Sequence, residues 1–509
     1  MRMPENCLPT VEPVTQIAAP VAFARYGGAA WRKTLGLPVV LAGLLVCLTF
    51  CLCCWRFNDP DTWWHLKLGQ EIWQTHSIPR SDHWSFTVYG HWWIPHEWLA
   101  QLWMYTVWRM FGYAGLQLWL CLTASAIVAL SYTLSYRYCG DATVAALGGF
   151  LAFFFGTVSF TLRPQIIAYL LLTIELVVLL RAFRGKPRAL WWLPLIFLIW
   201  VNCHASYPLG LGIFGAAVVC WYWRNHAEGL AGARWLIVPF ALTCLMLLCN
   251  PVGWRMLLYP FDLLLRQRDN LTFINEWFPP DPESVRGLGF VLAVAAIGVA
   301  GLTRRARASV FELLVFVPVT FLAAQHTRML IVFGIIAAPL ICRMVAEHRG
   351  VRKAKPDHLP TNAVLVLLAA VLCVAMFPRA KKIQEDVEAA NPVKAIEFIR
   401  NAHLRGPMLN DYGWGGYLVW ALPEYKTFID GRADVFDWTG VLAQYRDWVD
   451  LTVDPARLLD KYRIGFCLLP AAGTQVNVMR HLATWKQVYK DNVAVVFVRE
   501  NQSAPQPGI

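Results

Sequence analysis

Two aspartates stand where the first long apolar run of the chain ends. Asp59 and Asp61 flank Pro60 in the segment NDPDTWWHL. Carboxylates at a membrane surface are costly unless they are paired, hydrated or bound to a cation. Such a pair could act as a general base or hold a divalent metal ion. Aspartate is also a good helix N-cap, so catalysis, metal binding and capping all stay open, and each residue could serve a different one.

The rest of this segment, residues 58–99, adds more groups suited to acid–base chemistry or hydrogen bonding. Glu97 is a catalytic candidate, although its charge would also suit the N-terminus of a helix. His65, Asp82 and His96 are candidates for binding a substrate or acceptor molecule. Tryptophans accompany them, and these are typical of sugar-binding faces and equally of the aromatic belt of a membrane protein.

Cationic side chains recur at the ends of later apolar segments. Interfacial arginine suits bidentate binding of phosphate, whereas a lone arginine at a helix end can simply snorkel to the interface. Because these groups are expected on one face of the membrane, we interpret them together as a phosphate-binding set. Its members are Arg163, His204, Arg266, Arg268, His326 and Arg328.

The elements that must hold these residues are apolar. Of the 509 residues, 57% are hydrophobic and 15% are charged, against about 45–50% and about 25% in soluble domains. A helix that spans a bilayer needs about 20 apolar residues. Eleven segments qualify as predicted spans: 37–55, 113–135, 142–162, 164–182, 189–203, 207–223, 235–250, 287–303, 309–325, 328–345 and 362–378.

The net charge of +12 supports a cytoplasmic N-terminus and an outer C-terminus. With residues 97–111 kept as an interfacial amphipathic helix, the predicted cytoplasmic segments carry 19 basic and 7 acidic residues, while the outer loops balance. If 97–111 crossed, the basic cluster at 181–188 would move outside, against the positive-inside rule. The basic excess therefore indicates topology and excludes nucleic acid as a partner. The late start of the first run, at residue 37, predicts an uncleaved signal anchor.

The composition changes after residue 378. The sequence predicts a small extracytoplasmic α/β domain with helices at 392–402 and 481–490 and strands at 464–470 and 493–500. The complete fold prediction is an α-helical polytopic membrane protein of about eleven spans with this soluble domain at its end. Its parts are a cytoplasmic segment (1–36), a membrane domain (37–378, with the first outer loop at 56–112), the α/β domain (379–500) and a disordered tail (501–509).

The cysteines lie mostly within apolar runs. Cys51 and Cys54 form a C-x-x-C pair, but no second pair and no neighbouring histidine accompany them. Spacing alone is weak evidence for a metal or redox site. The sequence therefore predicts that the cysteines act as small hydrophobic side chains.

The arrangement resembles the GT-C glycosyltransferases, multi-pass enzymes that use a polyprenyl-phosphate-linked sugar donor. The acidic pair in a D-x-D-like position, the interfacial helices of the first outer loop and the terminal α/β domain carry this resemblance. The chain is most similar to a group of bacterial multi-pass membrane proteins. The shared motifs are D-x-D-x-W-x-H-L (59–66), P-x-x-D-x-x-S-x-T (79–87), H-E-W-L (96–99), L-R-P-Q (162–165), N-P-x-G-W (250–254), E-W (276–277), W-G-G-Y-L (414–418) and F-I-D-G-R-A-D (428–434).

Residues 410–418 also resemble the W-W-D-Y-G motif of oligosaccharyltransferase catalytic subunits. Only D-Y-G remains here, because Leu409 and Asn410 replace the two tryptophans. The resemblance implies that Tyr412 and Trp414 help to bind an acceptor. Asp430 and Arg432 could do the same or could form an ion-pair turn.

The resemblance implies sugar transfer from a polyprenyl-phosphate donor to a lipid, glycan or protein acceptor, on the outer face of a bacterial inner membrane. Asp59 or Asp61 would deprotonate the acceptor or hold Mg²⁺ or Mn²⁺, and the outer cations would bind the donor phosphate. Two alternatives stay open: a lipid or sugar transporter and a non-catalytic polysaccharide-assembly protein. Transporters place ionisable groups near the bilayer midplane. Here the charged residues collect at the ends of the predicted spans, and only Glu175 is a clear mid-span charge, which counts against a transporter.

Overall fold

The computed structural model describes residues 35–55, 57, 59–225, 230–266, 274–303, 308–349 and 357–500. Contacts between residues divide the chain into two compact units. The first unit comprises the described residues up to 56, together with 117–257 and 275–377. The second unit comprises 57–116, 258–274 and the described residues from 378 onwards.

Apolar helices build the first unit. Five helices in the described residues are long and apolar enough to cross a membrane: Trp98–Cys139, Gln165–Phe183, Val285–Leu302, Thr327–Arg349 and Leu359–Met376. Six shorter apolar helices are Leu37–Cys53, Ala142–Gly156, Pro187–Cys203, Tyr207–Trp223, Arg234–Met246 and Val310–Gln325. Each of the eleven predicted segments coincides with one of these helices.

The first and last of these helices pack in parallel. The Leu37 amide donates to Asp357 Oδ1 at 2.9 Å, just before helix Leu359–Met376 begins. At the other end, the rings of Phe50 and Phe377 lie 6.2 Å apart. Parallel first and last helices are expected when a chain crosses a membrane an odd number of times, as the charge distribution predicts.

The helix Trp98–Cys139 is interrupted at Gly112, where φ is 62° and ψ is −157°. Glycine populates this left-handed region without the steric penalty of a Cβ atom. Residues 98–111 therefore form a helical segment of their own, and they belong to the second unit. This break agrees with the interpretation that 97–111 is separate from the span that follows.

A four-stranded sheet organises the second unit, with strands β1 (Met408–Asn410), β2 (Phe466–Pro470), β3 (Trp485–Lys490) and β4 (Ala494–Arg499) in the order β1-β2-β4-β3. β1 pairs with β2 in parallel, and β4 lies antiparallel between β2 and β3. The helices of this unit are Thr62–Thr75, the segment 98–111, the end of Arg255–Arg266, Ala380–Ala390, Val393–Asn401, Tyr412–Ala421, Ala433–Trp438, Val441–Val449, Pro455–Lys461 and Thr474–His481.

Most of the elements predicted for the terminal region are confirmed, but one is wrong. The helix at 393–401 and strands β2 and β4 lie within the predicted ranges. The predicted helix at 481–490 is instead strand β3. Asp491 Oδ1 accepts the amide protons of Val493 and Ala494, both at 2.7 Å, and so closes a tight turn that makes β3 and β4 a hairpin. This turn signal outweighed the helical spacing of the segment.

The core of the second unit combines the first outer loop with the terminal region. Trp64, Trp84 and Trp93 from the loop pack in one buried cluster with Phe428 and Trp448. The loop is therefore part of this unit's hydrophobic core, although the sequence placed it with the membrane domain. The predicted tail, 501–509, lies outside the described residues.

Candidate functional site

The two aspartates lie in a tight turn at the start of helix Thr62–Thr75. Asp59 is 7% exposed, and its Oδ1 accepts the amide proton of Asp61 at 3.0 Å. Asp61 occupies the N-cap position without making a side-chain capping bond. Its Oδ1 instead accepts the indole proton of Trp64 at 3.2 Å. The capping prediction thus had the right position, but the Asp61 carboxylate points to a different donor.

Two glycines of the terminal region approach this turn so closely that no side chain fits. A Cβ atom on Gly431 would lie 2.0 Å from Asp61 Oδ1 and 2.8 Å from Trp64 Nε1. A Cβ atom on Gly416 would lie 2.7 Å from the Pro60 carbonyl oxygen. Cβ contacts below 3.0 Å force a neighbour to move. The glycines of the W-G-G-Y-L and F-I-D-G-R-A-D motifs therefore set the position of the aspartate turn.

A buried ion cluster fixes Gly431 in place. Arg432, next in the chain, forms ion pairs at 2.6 Å with Asp82 Oδ1 and with Asp430 Oδ2. Its guanidinium carbon lies 4.4 Å from the ring centre of Trp84 and 4.8 Å from that of Trp93. Burial opposes the charge of Arg432, but the two carboxylates raise its pKa. The guanidinium therefore stays charged inside the core.

Backbone hydrogen bonds also join the first outer loop to the terminal region. The Phe86 amide donates to the Thr427 carbonyl oxygen and the Thr427 amide donates to the Trp84 carbonyl oxygen, each at 3.1 Å. Thr87 Oγ1 donates to the Phe428 carbonyl oxygen at 2.6 Å. Residues of the P-x-x-D-x-x-S-x-T motif thus form hydrogen bonds with the terminal region.

Glu97 lies between two histidines. Its Oε2 is 3.7 Å from His65 Nδ1, and its Oε1 is 3.7 Å from His96 Nε2. Gln101 Nε2 lies 2.9 Å from His65 Nδ1, within hydrogen-bond distance. Burial lowers the pKa of His96 to about 4, so His96 is neutral at pH 7. The structure thus brings together three predicted residues, with the two histidines on either side of the Glu97 carboxylate.

A tyrosine that the sequence did not single out extends this group. The Tyr259 ring lies 4.6 Å from the His96 ring, and its hydroxyl donates to Asp434 Oδ2 at 2.9 Å. Burial raises the pKa of Asp434 to about 6, although the Tyr259 hydrogen bond and the charge of Arg432 lower it. Tyr259 lies on the amphipathic helix Arg255–Arg266, and its apolar periodicity was the available signal.

In the first unit, three predicted phosphate-binding residues meet the E-W motif. Arg163 donates to both Glu276 oxygens, at 3.0 and 3.2 Å. The Arg328 guanidinium carbon lies 4.3 Å from the ring centre of Trp277. His326 Nδ1 donates to the Trp277 carbonyl oxygen at 2.7 Å. A small cavity beside them is lined by Val158, Ser159, Thr161, Gln165, Glu276, Thr327 and Arg328.

The remaining phosphate candidates do not extend this cluster in the described contacts. His204 Nδ1 shares a hydrogen bond with Ser206 Oγ at 2.9 Å, at the end of helix Leu193–Cys203. Arg266 ends helix Arg255–Arg266 and its side chain is not described, and Arg268 lies outside the described residues. The described contacts thus bring Arg163, His326 and Arg328 of the predicted set together, and their binding of phosphate stays a prediction.

Several predicted acceptor-binding residues make contacts within the fold of the second unit. The side chains of Asp82, Asp430 and Arg432 are at most 1% exposed. Trp414 is buried, and its indole donates to the Ala390 carbonyl oxygen at 3.1 Å. The Tyr412 amide donates to the Tyr445 hydroxyl at 2.9 Å. Asp82, Asp430, Arg432 and Trp414 are thus buried within the fold, and His65 is equally buried at 2% exposure. Tyr412 and His96 are partly exposed.

The aspartate turn offers two carboxylates, Asp59 and Asp61, as possible metal ligands. Among the described residues, the cluster of three or more possible metal ligands within 4.8 Å consists of cysteines and excludes Asp59 and Asp61. Two carboxylates fit Mg²⁺, which is usually held by one or two carboxylates together with water and substrate phosphate. The residues therefore fit an open site for Mg²⁺ or Mn²⁺ and do not form a closed cage.

Comparison with solved structures gives matches at low identity. ArnT from Cupriavidus metallidurans, in its complex with undecaprenyl phosphate, is 15% identical with a TM-score of 0.49, and the match covers 94% of this chain and 100% of that chain. The archaeal oligosaccharyltransferase AglB from Archaeoglobus fulgidus, in complex with an inhibitory peptide and a dolichol-phosphate, is 10% identical with a TM-score of 0.48, covering 91% and 75%.

The sequence matches no protein-family model, and no curated protein matches it. The function proposed below rests on the residues of this chain.

We expect Gly431→Ala to disrupt the aspartate turn, because the added methyl group would overlap Asp61 Oδ1. The variant should lower the free energy of unfolding by about 1–3 kcal/mol, the usual cost of overpacking a filled core, as measured by thermal unfolding in detergent. The matched control is Gly212→Ala, where the added methyl meets open space. Equal unfolding temperatures for the two variants would show that the glycine contact does not matter.

The pKa of Asp434 predicts a pH-dependent stability. Between pH 4 and 6 the folded chain keeps a proton that the unfolded chain has lost, so stability falls as pH rises through this window. The loss should reach about 3 kcal/mol and should be absent in Asp434→Asn. Thermal unfolding followed by tryptophan fluorescence measures it, with the exposed Glu385→Gln as control. Identical profiles for the wild type and Asp434→Asn would contradict the assignment.

Proposed function

We propose that the chain is a membrane glycosyltransferase that transfers a sugar from a polyprenyl-phosphate-linked donor to an acceptor hydroxyl on the extracytoplasmic face. The observation that carries the proposal is the aspartate turn held against Gly431. In the sequence, this turn directly follows the first apolar helix, Leu37–Cys53, and ionisable groups next to a membrane span are expensive and usually functional. We place eleven spans in the membrane, with the N-terminus inside and the second unit outside.

Asp61 serves as the general base in this proposal. Its carboxylate is more accessible than that of Asp59, and it does not cap the helix that it precedes. Asp59 holds the Asp61 backbone through its hydrogen bond. The acceptor O–H bond breaks toward Asp61, the oxygen attacks the anomeric carbon with inversion, and the lipid phosphate leaves with the electron pair of the broken C–O bond.

The Arg163, His326 and Arg328 cluster binds the lipid phosphate. Arg328 stacks on Trp277, which orients its planar fork for a phosphate oxygen. Glu276 holds Arg163 in a bidentate pair, so the phosphate competes with this carboxylate for Arg163. The structures of ArnT and AglB with undecaprenyl phosphate and dolichol-phosphate make a polyprenyl phosphate the natural probe.

Mg²⁺ or Mn²⁺ would be held by Asp59 and Asp61 together with water. Such an ion would neutralise phosphate charge as the donor bond breaks. His65 and His96 lie at Glu97 and provide hydrogen-bonding groups for the acceptor. The acceptor itself is a lipid, glycan or protein that carries a hydroxyl group.

One observation favours a transporter as the second candidate. Glu175 is fully buried in helix Gln165–Phe183, and within the described residues neither carboxylate oxygen has a hydrogen-bond partner. Gly210 leaves room for this carboxyl, because a Cβ there would lie 2.6 Å from Glu175 Oε2. If Glu175→Gln abolished glycan formation while Asp61→Asn did not, transport would replace transfer as the function.

We expect Asp61→Asn to lower the rate of sugar transfer by about 10²–10⁴-fold, the usual contribution of a general base. Asp59→Asn should cost less, because it removes only the hydrogen bond that orients Asp61. The assay follows transfer of radiolabelled sugar from membrane lipid to the endogenous acceptor, in cells that carry only the variant.

Glu385→Gln, on an exposed helix face, is the matched carboxylate control. Both aspartate variants should still bind undecaprenyl phosphate, which shows that they fold. Wild-type transfer by the Asp59→Asn, Asp61→Asn double variant would remove the catalytic proposal and favour an assembly role.

Arg328→Gln should weaken the binding of undecaprenyl phosphate by about 10–100-fold, since a charged hydrogen bond contributes about 1.5–3 kcal/mol. The affinity of Arg328→Lys for undecaprenyl phosphate should lie between those of the wild type and Arg328→Gln, because lysine keeps the positive charge but cannot form the planar guanidinium contact with Trp277. Quenching of tryptophan fluorescence by undecaprenyl phosphate measures the binding in detergent. Arg480→Gln, on the outer surface of the second unit, is the control, and equal binding by both glutamine variants would move the phosphate site elsewhere.

A further inference from the structure

Three thiols from the first and last described helices of the first unit lie close together. Cys47 and Cys51 lie one turn apart on helix Leu37–Cys53, and side chains with this spacing share one face of a helix. Cys373 lies on helix Leu359–Met376. The three sulfur atoms all lie within 4.8 Å of one another. The C-x-x-C pair seen in the sequence is a different one, and Cys373 is too distant in the chain for spacing to reveal it.

The two helices hold these thiols at matching levels. Their parallel packing is fixed at one end by the Leu37–Asp357 hydrogen bond and at the other by the rings of Phe50 and Phe377. Between these ends, Cys47 Sγ donates to the Ala369 carbonyl oxygen at 3.4 Å. Cys47 is buried, and Cys51 and Cys373 are partly exposed. The cluster is therefore built into a fixed helix contact, with access for a small ion.

The donor set consists of sulfur alone. Thiolates select soft cations such as Cu(I), whereas Mg²⁺ and Ca²⁺ prefer oxygen. Structural zinc sites use four protein ligands, and this cluster offers three. With metal–sulfur bonds of about 2.3 Å, three sulfurs around one ion lie about 4 Å apart. The cluster thus needs to contract by at most about 1 Å, which side-chain rotation supplies.

We propose that Cys47, Cys51 and Cys373 form a binding site for Cu(I). Copper stays in the +1 state throughout: copper–sulfur bonds form, and the thiol protons that are displaced pass to solvent. The bound ion would fasten helix Leu359–Met376 to helix Leu37–Cys53. The former leads directly into the terminal region, and the latter ends eight residues before Asp61. The site is thus a metal clamp on the two helices that flank the proposed outer machinery.

The experiment uses the full-length chain in detergent. Cu(I) is kept reduced with ascorbate and titrated against bicinchoninate as a competing chelator. The wild type should bind one tight equivalent that Cys51→Ser and Cys373→Ser lose, with affinity lowered at least 100-fold. The matched controls, Cys244→Ser and Cys249→Ser, lie outside the cluster and should keep it. X-ray absorption should show sulfur ligands only.

A second measurement distinguishes loss of the metal site from misfolding caused by the serine substitutions. Cu(I) should raise the thermal unfolding temperature of the wild type and of Cys249→Ser, and it should leave Cys373→Ala unchanged. Two results would overturn the proposal. One is equal Cu(I) affinity in the wild type and both cluster variants. The other is a Cys51–Cys373 disulfide in the purified chain, detected by mass spectrometry under non-reducing conditions.

Discussion

The candidate site depends on the pairing of one buried guanidinium with two buried carboxylates. Arg432 and Asp430 come from the terminal region, and Asp82 comes from the first outer loop, about 350 residues earlier. Replacing a buried ion pair with apolar residues often costs nothing, whereas removing one partner costs about 3–5 kcal/mol. The cluster is therefore better explained by specificity: it fixes which part of the loop meets which part of the terminal region, and so brings Gly431 against Asp61.

This dependence explains why the glycine motifs and the aspartate motif occur in one chain. Gly416 touches the Pro60 carbonyl and Gly431 touches Asp61, so both need the absence of a side chain rather than a special backbone angle. The resemblance to W-W-D-Y-G implied an acceptor role for Tyr412 and Trp414. Their contacts show packing, with Trp414 bonded to Ala390 and Asp411 capping its own helix through the Gly413 amide.

Local patterns predicted most of the fold and part of the site. Apolar runs indicated every long helix, because burial in lipid requires continuous hydrophobicity, and the position of Asp61 at a helix start followed from residue type. The contacts of Asp82 with Arg432 and of Tyr259 with Asp434 join distant segments, and no local propensity encodes such pairs. Strand β3 was missed for a related reason: its partner β4 and the Asp491 turn decide its conformation, while its own spacing fits a helix.

Charge divides the chemistry between the two units. Around the aspartate turn, the described carboxylates outnumber the single buried guanidinium of Arg432, and burial keeps His96 neutral. A phosphate would meet repulsion there, whereas a hydroxyl donor or a divalent cation would be favoured. Arg163 and Arg328 of the first unit offer the opposite potential, with Glu276 as a resident carboxylate. In the proposed function, these charges favour the aspartates as partners of the acceptor hydroxyl and the arginines as partners of the lipid phosphate.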